Sequence, residues 1–191
     1  RGANNVLRSD STAAEEASPV NGYISGFNGG GFDLTPGTHG SYPSGDVNRS
    51  GRTYVAWAWK AGGTAVSNTD GTITSSCSTN AAYGFSIVKY VGTGSLASVG
   101  HNLNSAPEFM IIKGLDDPLS WAVYANNPSN YLELSGSGAN NSTDASNAWN
   151  GTAPTSSVFT VKTKATVNES GENYIAYCWS EVAGFSKFGS F

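Results

Sequence analysis

The sequence is poor in charged residues, in cysteine and in long apolar runs. Charged residues make up 13% of the 191 residues, which is about half of the usual share in soluble domains. The ten Lys and Arg are scattered and the net charge is −4, so no basic surface for a nucleic-acid partner is predicted. No apolar run approaches the roughly 20 residues that cross a bilayer, so membrane insertion is not expected either.

Metal ligands and disulfide partners are equally scarce. The two cysteines, Cys77 and Cys178, are too few for a disulfide framework. A single bridge between them stays open, while the aromatic surroundings of Cys178 favour a buried free thiol. The two histidines, His39 and His101, have no partners at metal-ligand spacing and are interpreted as polar loop residues, His101 in a structural turn. We therefore predict no metal site and no cofactor.

No catalytic motif is recognisable. The carboxylate pairs are Glu15-Glu16 and Asp116-Asp117. Adjacent side chains usually point apart, whereas a glycosidase needs two carboxylates about 5–10 Å apart across a cleft. Asp116-Asp117-Pro118 is typical of a turn, and the GxSxG nucleophile motif is missing. The sequence therefore predicts no catalytic residue and no enzyme. A polysaccharide depolymerase is the alternative, and it requires carboxylates that converge in one groove.

The chain is rich in glycine, in hydroxyl and amide side chains, and in aromatics. There are 24 Gly and 12% aromatic residues, a composition that suits short strands joined by polar turns. The residue pattern predicts strands at 23–27, 31–34, 53–60, 85–91, 109–113, 121–125, 131–134, 158–163 and 174–180, with a weak one at 72–74 inside a polar loop at 62–79. This spacing predicts an all-β fold, an antiparallel β-sandwich or flattened barrel.

One stretch of the sequence occurs twice. Residues 47–59 read VNRSGRTYVAWAW, and residues 167–179, 120 positions later, read VNESGENYIAYCW. Because successive side chains of a strand point to opposite faces, each copy is predicted to be a strand with an aromatic stripe in the core. The stripe consists of Val55, Trp57 and Trp59 in the first copy and of Ile175, Tyr177 and Trp179 in the second, while Tyr54 and Tyr174 belong to the opposite face of each repeat strand.

The repeat also predicts the domain organisation. The letters GFS occur at residues 84–86 and again at 184–186. We interpret residues 1–63 as an N-terminal arm and partial repeat unit, 64–183 as a complete unit, and 184–191 as a tail that resembles the start of a further unit. One compact domain is expected overall, within a parent protein of tandem units.

Several phrases, in order, carry a family resemblance. They are RGANNVLRSDSTAAEE, YVAWAWKAGG, GFSIVKYVGTG, GHNLNSAPEFMIIK, WAVY, NAWNGTAPTSSVF and VNESGENYIAYCWSEVAGFSKFGSF. The chain resembles a repeat module of large virion structural proteins of marine tailed bacteriophages, especially tail fibres and similar appendages. The resemblance implies a structural virion protein, a module of a tail fibre, capsid fibre or decoration protein, located in the virion and assembled in the bacterial host cytoplasm. It brings no catalytic residue and no ligand.

The expected partners are protein surfaces. Phage appendages are commonly trimeric and closed symmetry is the default for oligomers, so we expect identical subunits in a homotrimer or other symmetric assembly, together with other virion proteins. The alternative function is receptor binding, in which exposed loops recognise host-surface polysaccharide. Aromatic rings on loops can stack on sugars, which makes Tyr42, Tyr131 and Trp149 the candidates for ligand binding.

Overall fold

The computed structural model describes residues 23–28, 30–35, 51, 53–134 and 142–189. It divides the chain into two compact units, Arg1–Ala58 and Trp59–Phe191. The sequence places this boundary after residue 63 and expects one compact domain. The observed boundary instead falls inside the first copy of the repeated stretch.

The described strands of the first unit form an antiparallel hairpin. Its strands are β1, Tyr23–Asn28, and β2, Gly31–Thr35. The register shifts between Ile24 and Gly26, where one extra residue in β1 forms a bulge. The Asn28 side chain helps to close the turn, because its Oδ1 accepts a hydrogen bond from the Gly30 amide at 3.0 Å.

The second unit contains nine strands, two α-helices and one short 3-10 helix, Ala81–Tyr83, among its described residues. The strands are β3 Val66–Asn68, β4 Ser75–Asn80, β5 Phe85–Val91, β6 Ala97–Gly100, β7 Phe109–Gly114, β8 Ala122–Ala125, β9 Leu132–Glu133, β10 Val158–Val161 and β11 Asn173–Trp179. The helices are α1 Ser142–Trp149 and α2 Ala165–Asn168. Seven strands form one antiparallel sheet in the order β3-β4-β5-β11-β7-β8-β9, and β10 pairs with β6 in a separate two-stranded sheet.

One face of the large sheet packs against a second layer. The alternate residues of β11 that point to this face are Tyr174, Ala176 and Cys178, and all are fully buried. The second layer consists of the β6–β10 pair and the two helices, which contribute residues such as Phe159 and Trp149 to the same core. At the middle of β11 on this face, the small Ala176 lies between the larger Val88 of β5 and Ile112 of β7, as close packing under the second layer requires.

The other face of the sheet is apolar as well. From β11 it carries Ile175, Tyr177 and Trp179, each at most 6% exposed. A strand that is buried on both faces has no polar face, so its sequence is a nearly continuous apolar run. The all-β, sandwich-like fold predicted from the sequence is confirmed.

Most predicted strands are confirmed, including β5 at its predicted bounds. The residue pattern did not predict β3, β4 or β6, nor either of the two α-helices. Strand β4 has the sequence SSCSTN, which looks like a polar loop. Its hydroxyl groups are satisfied inside the fold: Ser75 Oγ donates to the Gly100 carbonyl at 2.8 Å, and Ser78 Oγ donates to the Gly63 carbonyl at 2.6 Å.

The predicted strand at 53–60 is wrong for this structure. No strand is formed there, and the side chains of Val55 and Trp57 are 71% and 76% exposed instead of lying in a core. A strand needs neighbours that accept its backbone hydrogen bonds. The second copy of the repeat is β11, and it is flanked by β5 and β7. Strand β5 already pairs with β4 and β11, and β7 already pairs with β11 and β8. Neither β5 nor β7 therefore has a free edge for the first copy.

Candidate functional site

Two of the three aromatic candidates for sugar binding lie in the core. Tyr131 is 3% exposed and Trp149, the last residue of α1, is 1% exposed. The prediction of exposed loop rings is therefore wrong for both, because Trp149 ends an amphipathic helix that covers the sheet. Tyr42 lies outside the described residues.

The polar atoms of these two rings have partners inside the protein. Trp149 Nε1 donates to the Asn130 carbonyl at 3.0 Å. The Tyr131 hydroxyl lies 2.9 Å from Thr166 Oγ1 and donates to Glu133 at 3.2 Å. Burial of the side chain raises the pKa of Tyr131. The ammonium group of Lys164 lies 4.7 Å from the centre of the Tyr131 ring. These contacts fix the rings as structural residues and leave no ring face for a sugar.

The polar groups considered for chemistry also have structural roles. His101 is fully buried; its Nδ1 accepts from the Leu103 amide at 3.2 Å and its Nε2 lies 3.1 Å from the Thr155 carbonyl. Asp116 lies in the turn between β7 and β8 and accepts two hydrogen bonds from Asn173, which lower the pKa of the Asp116 carboxyl. His39 and the Glu15-Glu16 pair lie outside the described residues.

The turn that leads into β11 is built by the first letters of the repeat. Asn168 is fully buried, and its side chain joins three segments: Oδ1 accepts from the Thr93 amide at 2.7 Å, and Nδ2 donates to the Ser95 and Lys162 carbonyls, both at 2.6 Å. Gly171 has a φ of 84°, which favours glycine. The sequence identified this stretch as a repeat but gave no sign of its crosslinking role.

Glu172 makes further hydrogen bonds at the same end of β11. It is buried, and its Oε1 accepts from the Asp116 and Asp117 amides at 2.8 and 3.1 Å. In return, Asp116 accepts from the Asn173 amide at 2.9 Å. The start of β11 is thus held against the β7–β8 turn by carboxylates that accept backbone hydrogen bonds, which are stronger than neutral ones.

At the other end of β11 lies a cluster of aromatic rings in the second unit, which we call the aromatic row. Trp179 contacts Phe85 and Phe109 with ring centres 5.1 and 5.5 Å apart. Trp59 packs edge-on against Trp179 at 5.3 Å, and Phe188 stacks on Phe109 at 6.1 Å. Trp59 is the last residue of the first repeat copy and Trp179 is the last residue of the second. The two equivalent tryptophans are therefore in contact with each other.

The most exposed aromatic side chain among the described residues lies in the first copy of the repeat. In residues 53–59, called the 53–59 segment below, the exposed side chains are Tyr54, Val55, Trp57 and Trp59. Trp57, at 76% exposure, is the most exposed of the large apolar residues in the part of the chain that the structure describes. Several large apolar side chains that are exposed within a short stretch indicate a candidate interaction site.

The described residues contain neither a metal-ligand cluster nor a helix that could span a membrane. They contain no group of three or more His, Cys, Asp or Glu that could hold a metal ion. Within the same residues, neither helix has the length and apolar character needed to cross a membrane.

The whole chain matches one family model. The model is described as a domain of unknown function, DUF7483, and the match covers residues 1–191. No curated protein and no solved structure matches the chain.

Proposed function

The chain belongs to the DUF7483 family, and we propose that it is a structural module of a tailed-bacteriophage virion that acts through assembly with other protein subunits. The observation that carries the proposal is the exposed apolar surface of the 53–59 segment. Burying such surface is favourable by about 25 cal/mol for each Å². A partner surface that covers Val55 and Trp57 would therefore stabilise an assembly.

The contacts of the candidate residues support a structural role. Tyr131, Trp149, His101 and Glu172 all make internal hydrogen bonds that hold strands and loops together. The resemblance of the sequence to virion repeat modules supports a tail fibre, capsid fibre or decoration protein as the proposed parent. Identical subunits and other virion proteins are the proposed partners.

Self-association tests the assembly role. We expect the chain to form a defined oligomer in sedimentation experiments, and we expect Trp57→Asp and Val55→Asp to weaken the association at least about tenfold, since exposed Trp residues are typical anchors of interfaces. The matched control is Leu96→Asp, because Leu96 is an exposed apolar residue elsewhere, and it should leave the oligomer intact. A chain that stays monomeric up to millimolar concentration contradicts the assembly role.

Location on the particle needs its own test. Antibodies against the chain should label purified phage particles, and the symmetry of the labelled structure distinguishes a fibre from a shell decoration. Binding of the isolated chain to host-envelope polysaccharide, if it occurs and persists in Trp57→Asp, would instead favour receptor binding through other surfaces. Absence of the chain from purified particles contradicts the virion role.

A further inference from the structure

The 53–59 segment has the sequence of a strand that is buried on both faces. In β11, Tyr174, Ala176 and Cys178 are buried on one face, and Ile175, Tyr177 and Trp179 on the other. The equivalent residues of the segment are Tyr54, Ala56 and Ala58, then Val55, Trp57 and Trp59. Each small residue corresponds to a small one and each large residue to a large one.

The small residues are dictated by the position of β11 in the sheet. Ala176 lies between Val88 of β5 and Ile112 of β7, and it is fully buried under the second layer. A large side chain at this position would overpack the core. Ala56 occupies the equivalent position of the segment, so the segment meets the same restriction.

Gly51, which precedes the segment, shares a left-handed backbone conformation with its equivalent before β11, Gly171. Gly51 has a φ of 74° and its equivalent Gly171 has a φ of 84°. This left-handed conformation favours glycine. The two repeat copies therefore share this glycine conformation, although the segment forms no strand in this structure.

We propose that the 53–59 segment is the central strand of a second sheet of this kind, whose two flanking strands are the β5 and β7 counterparts of another repeat unit. The inference rests on the proposed assembly role, and it identifies another repeat unit as the partner in that assembly. The register follows from β11: Ala56 lies between the counterparts of Val88 and Ile112, and Ala58 lies between the counterparts of Ser86 and Met110. The inserted strand gains backbone hydrogen bonds on both edges and buries both of its apolar faces.

A strand-replacement chimera tests whether the segment fits this position. The full chain is made with residues 173–179 replaced by the sequence of 53–59, which requires Asn173→Thr, Ile175→Val, Tyr177→Trp and Cys178→Ala. We expect cooperative unfolding with a melting temperature within about 10 °C of the parent chain. The matched control inserts the sequence of residues 54–60 at 173–179, because a one-residue shift moves every side chain to the opposite face. We expect this control to lose cooperative unfolding.

A complementation experiment tests exchange between copies. In the full chain, Ala176→Asp disables β11, since an unpaired charge at a fully buried position is strongly destabilising. Ala56→Asp is added so that the 53–59 segment cannot take the proposed buried position. Adding a synthetic peptide of residues 50–62 should restore cooperative unfolding and near-ultraviolet circular dichroism. The same peptide with Ala56→Asp should not restore them.

The outcomes separate this inference from the assembly role. A chimera that unfolds as poorly as the shifted control, or failure of the unmodified peptide to restore the double variant, overturns strand insertion. If the Trp57→Asp variant still weakens self-association in that case, assembly occurs by packing of side-chain surfaces instead. If the chimera and the peptide behave as expected while the chain stays monomeric, the assembly role fails and the strand compatibility stands.

Discussion

Tyr131 and Trp149 each combine an apolar ring with one polar atom, and the structure supplies a partner for both polar atoms within the second unit. Such residues are suited equally to a sugar-binding surface and to a core position that offers one hydrogen-bond partner. Their sequence context, short and rich in Asn, Ser and Gly, favours a loop. Trp149 takes a core position because α1 packs it against Tyr124, with ring centres 5.8 Å apart.

His101 shows the same effect for an ionisable group. Its Nδ1 accepts from the Leu103 amide, which requires a neutral ring with the proton on Nε2, where it is donated to the Thr155 carbonyl. Burial lowers the pKa of His101, while the Thr155 carbonyl and the Asp70 charge partly offset that effect. The histidine fills a turn, as the sequence predicted, but it does so as a buried residue.

Stability should therefore fall in mild acid. Because the pKa of His101 is lower in the folded chain than its unfolded value of about 6.5, the unfolded chain takes up the proton first as the pH falls. The free energy of unfolding should therefore decrease as the pH falls from 7.5 to 5.5, measured by urea denaturation. The variant His101→Gln should lose this part of the pH dependence. Equal pH dependence in the two chains would contradict it.

At the scale of elements, the short helix α2 is positioned by its last residue. Asn168 connects the segment after β5 and the segment after β10 to the turn that precedes β11. Tyr90 adds to the same connection, because its hydroxyl donates to the Val167 carbonyl at 2.7 Å. A four-residue helix has little stability of its own, so these side-chain bonds hold it in place.

Removing the Asn168 side chain should destabilise the second unit. The variant Asn168→Ala leaves the Thr93 amide and the Ser95 and Lys162 carbonyls without their partner. We expect a loss of about 3 kcal/mol in the free energy of unfolding, since three hydrogen bonds that each contribute about 1 kcal/mol are removed. The control is Asn147→Ala on the exposed side of α1, which should stay within about 0.5 kcal/mol of the parent chain. Similar values for the two variants would contradict the crosslinking role.

At the scale of the whole molecule, the sheet order settles the cysteine question. Cys77 lies on β4 and Cys178 on β11, with β5 between them. Strands that are two positions apart are separated by about 10 Å, beyond the roughly 7 Å limit for disulfide-bonded Cα atoms. Both cysteines are free thiols, and burial raises the pKa of each.

Thiol labelling should therefore report global unfolding. At pH 8, a maleimide or disulfide reagent should modify neither cysteine of the native chain within minutes, because a thiolate must form at a site that the reagent can reach. Both should react at once in denaturant. An added cysteine at an exposed position, Leu96→Cys, should react in the native chain and serves as the positive control. Rapid modification of either native cysteine would contradict the buried positions.

The two repeat copies show which features of the fold follow from the local sequence and which depend on tertiary contacts. Their composition and alternation determined that both are compatible with a strand, and short apolar runs bounded by turn residues determined the all-β class and the bounds of β5. These are local properties, because side-chain alternation and turn chemistry depend on a few neighbouring residues. The polar strand β4 lacked that local signal, since its hydroxyl groups find partners on distant segments.

Only the tertiary structure decided which copy is a strand here. Asn173–Trp179 lies between β5 and β7, which supply hydrogen-bond partners on both edges, while 53–59 has an equivalent sequence and forms no strand. The same holds for Tyr131 and Trp149, whose burial depends on α1 and on partners such as Asn130 and Thr166. A strand and a buried ring both require groups from elsewhere in the chain, and the local sequence does not contain those groups.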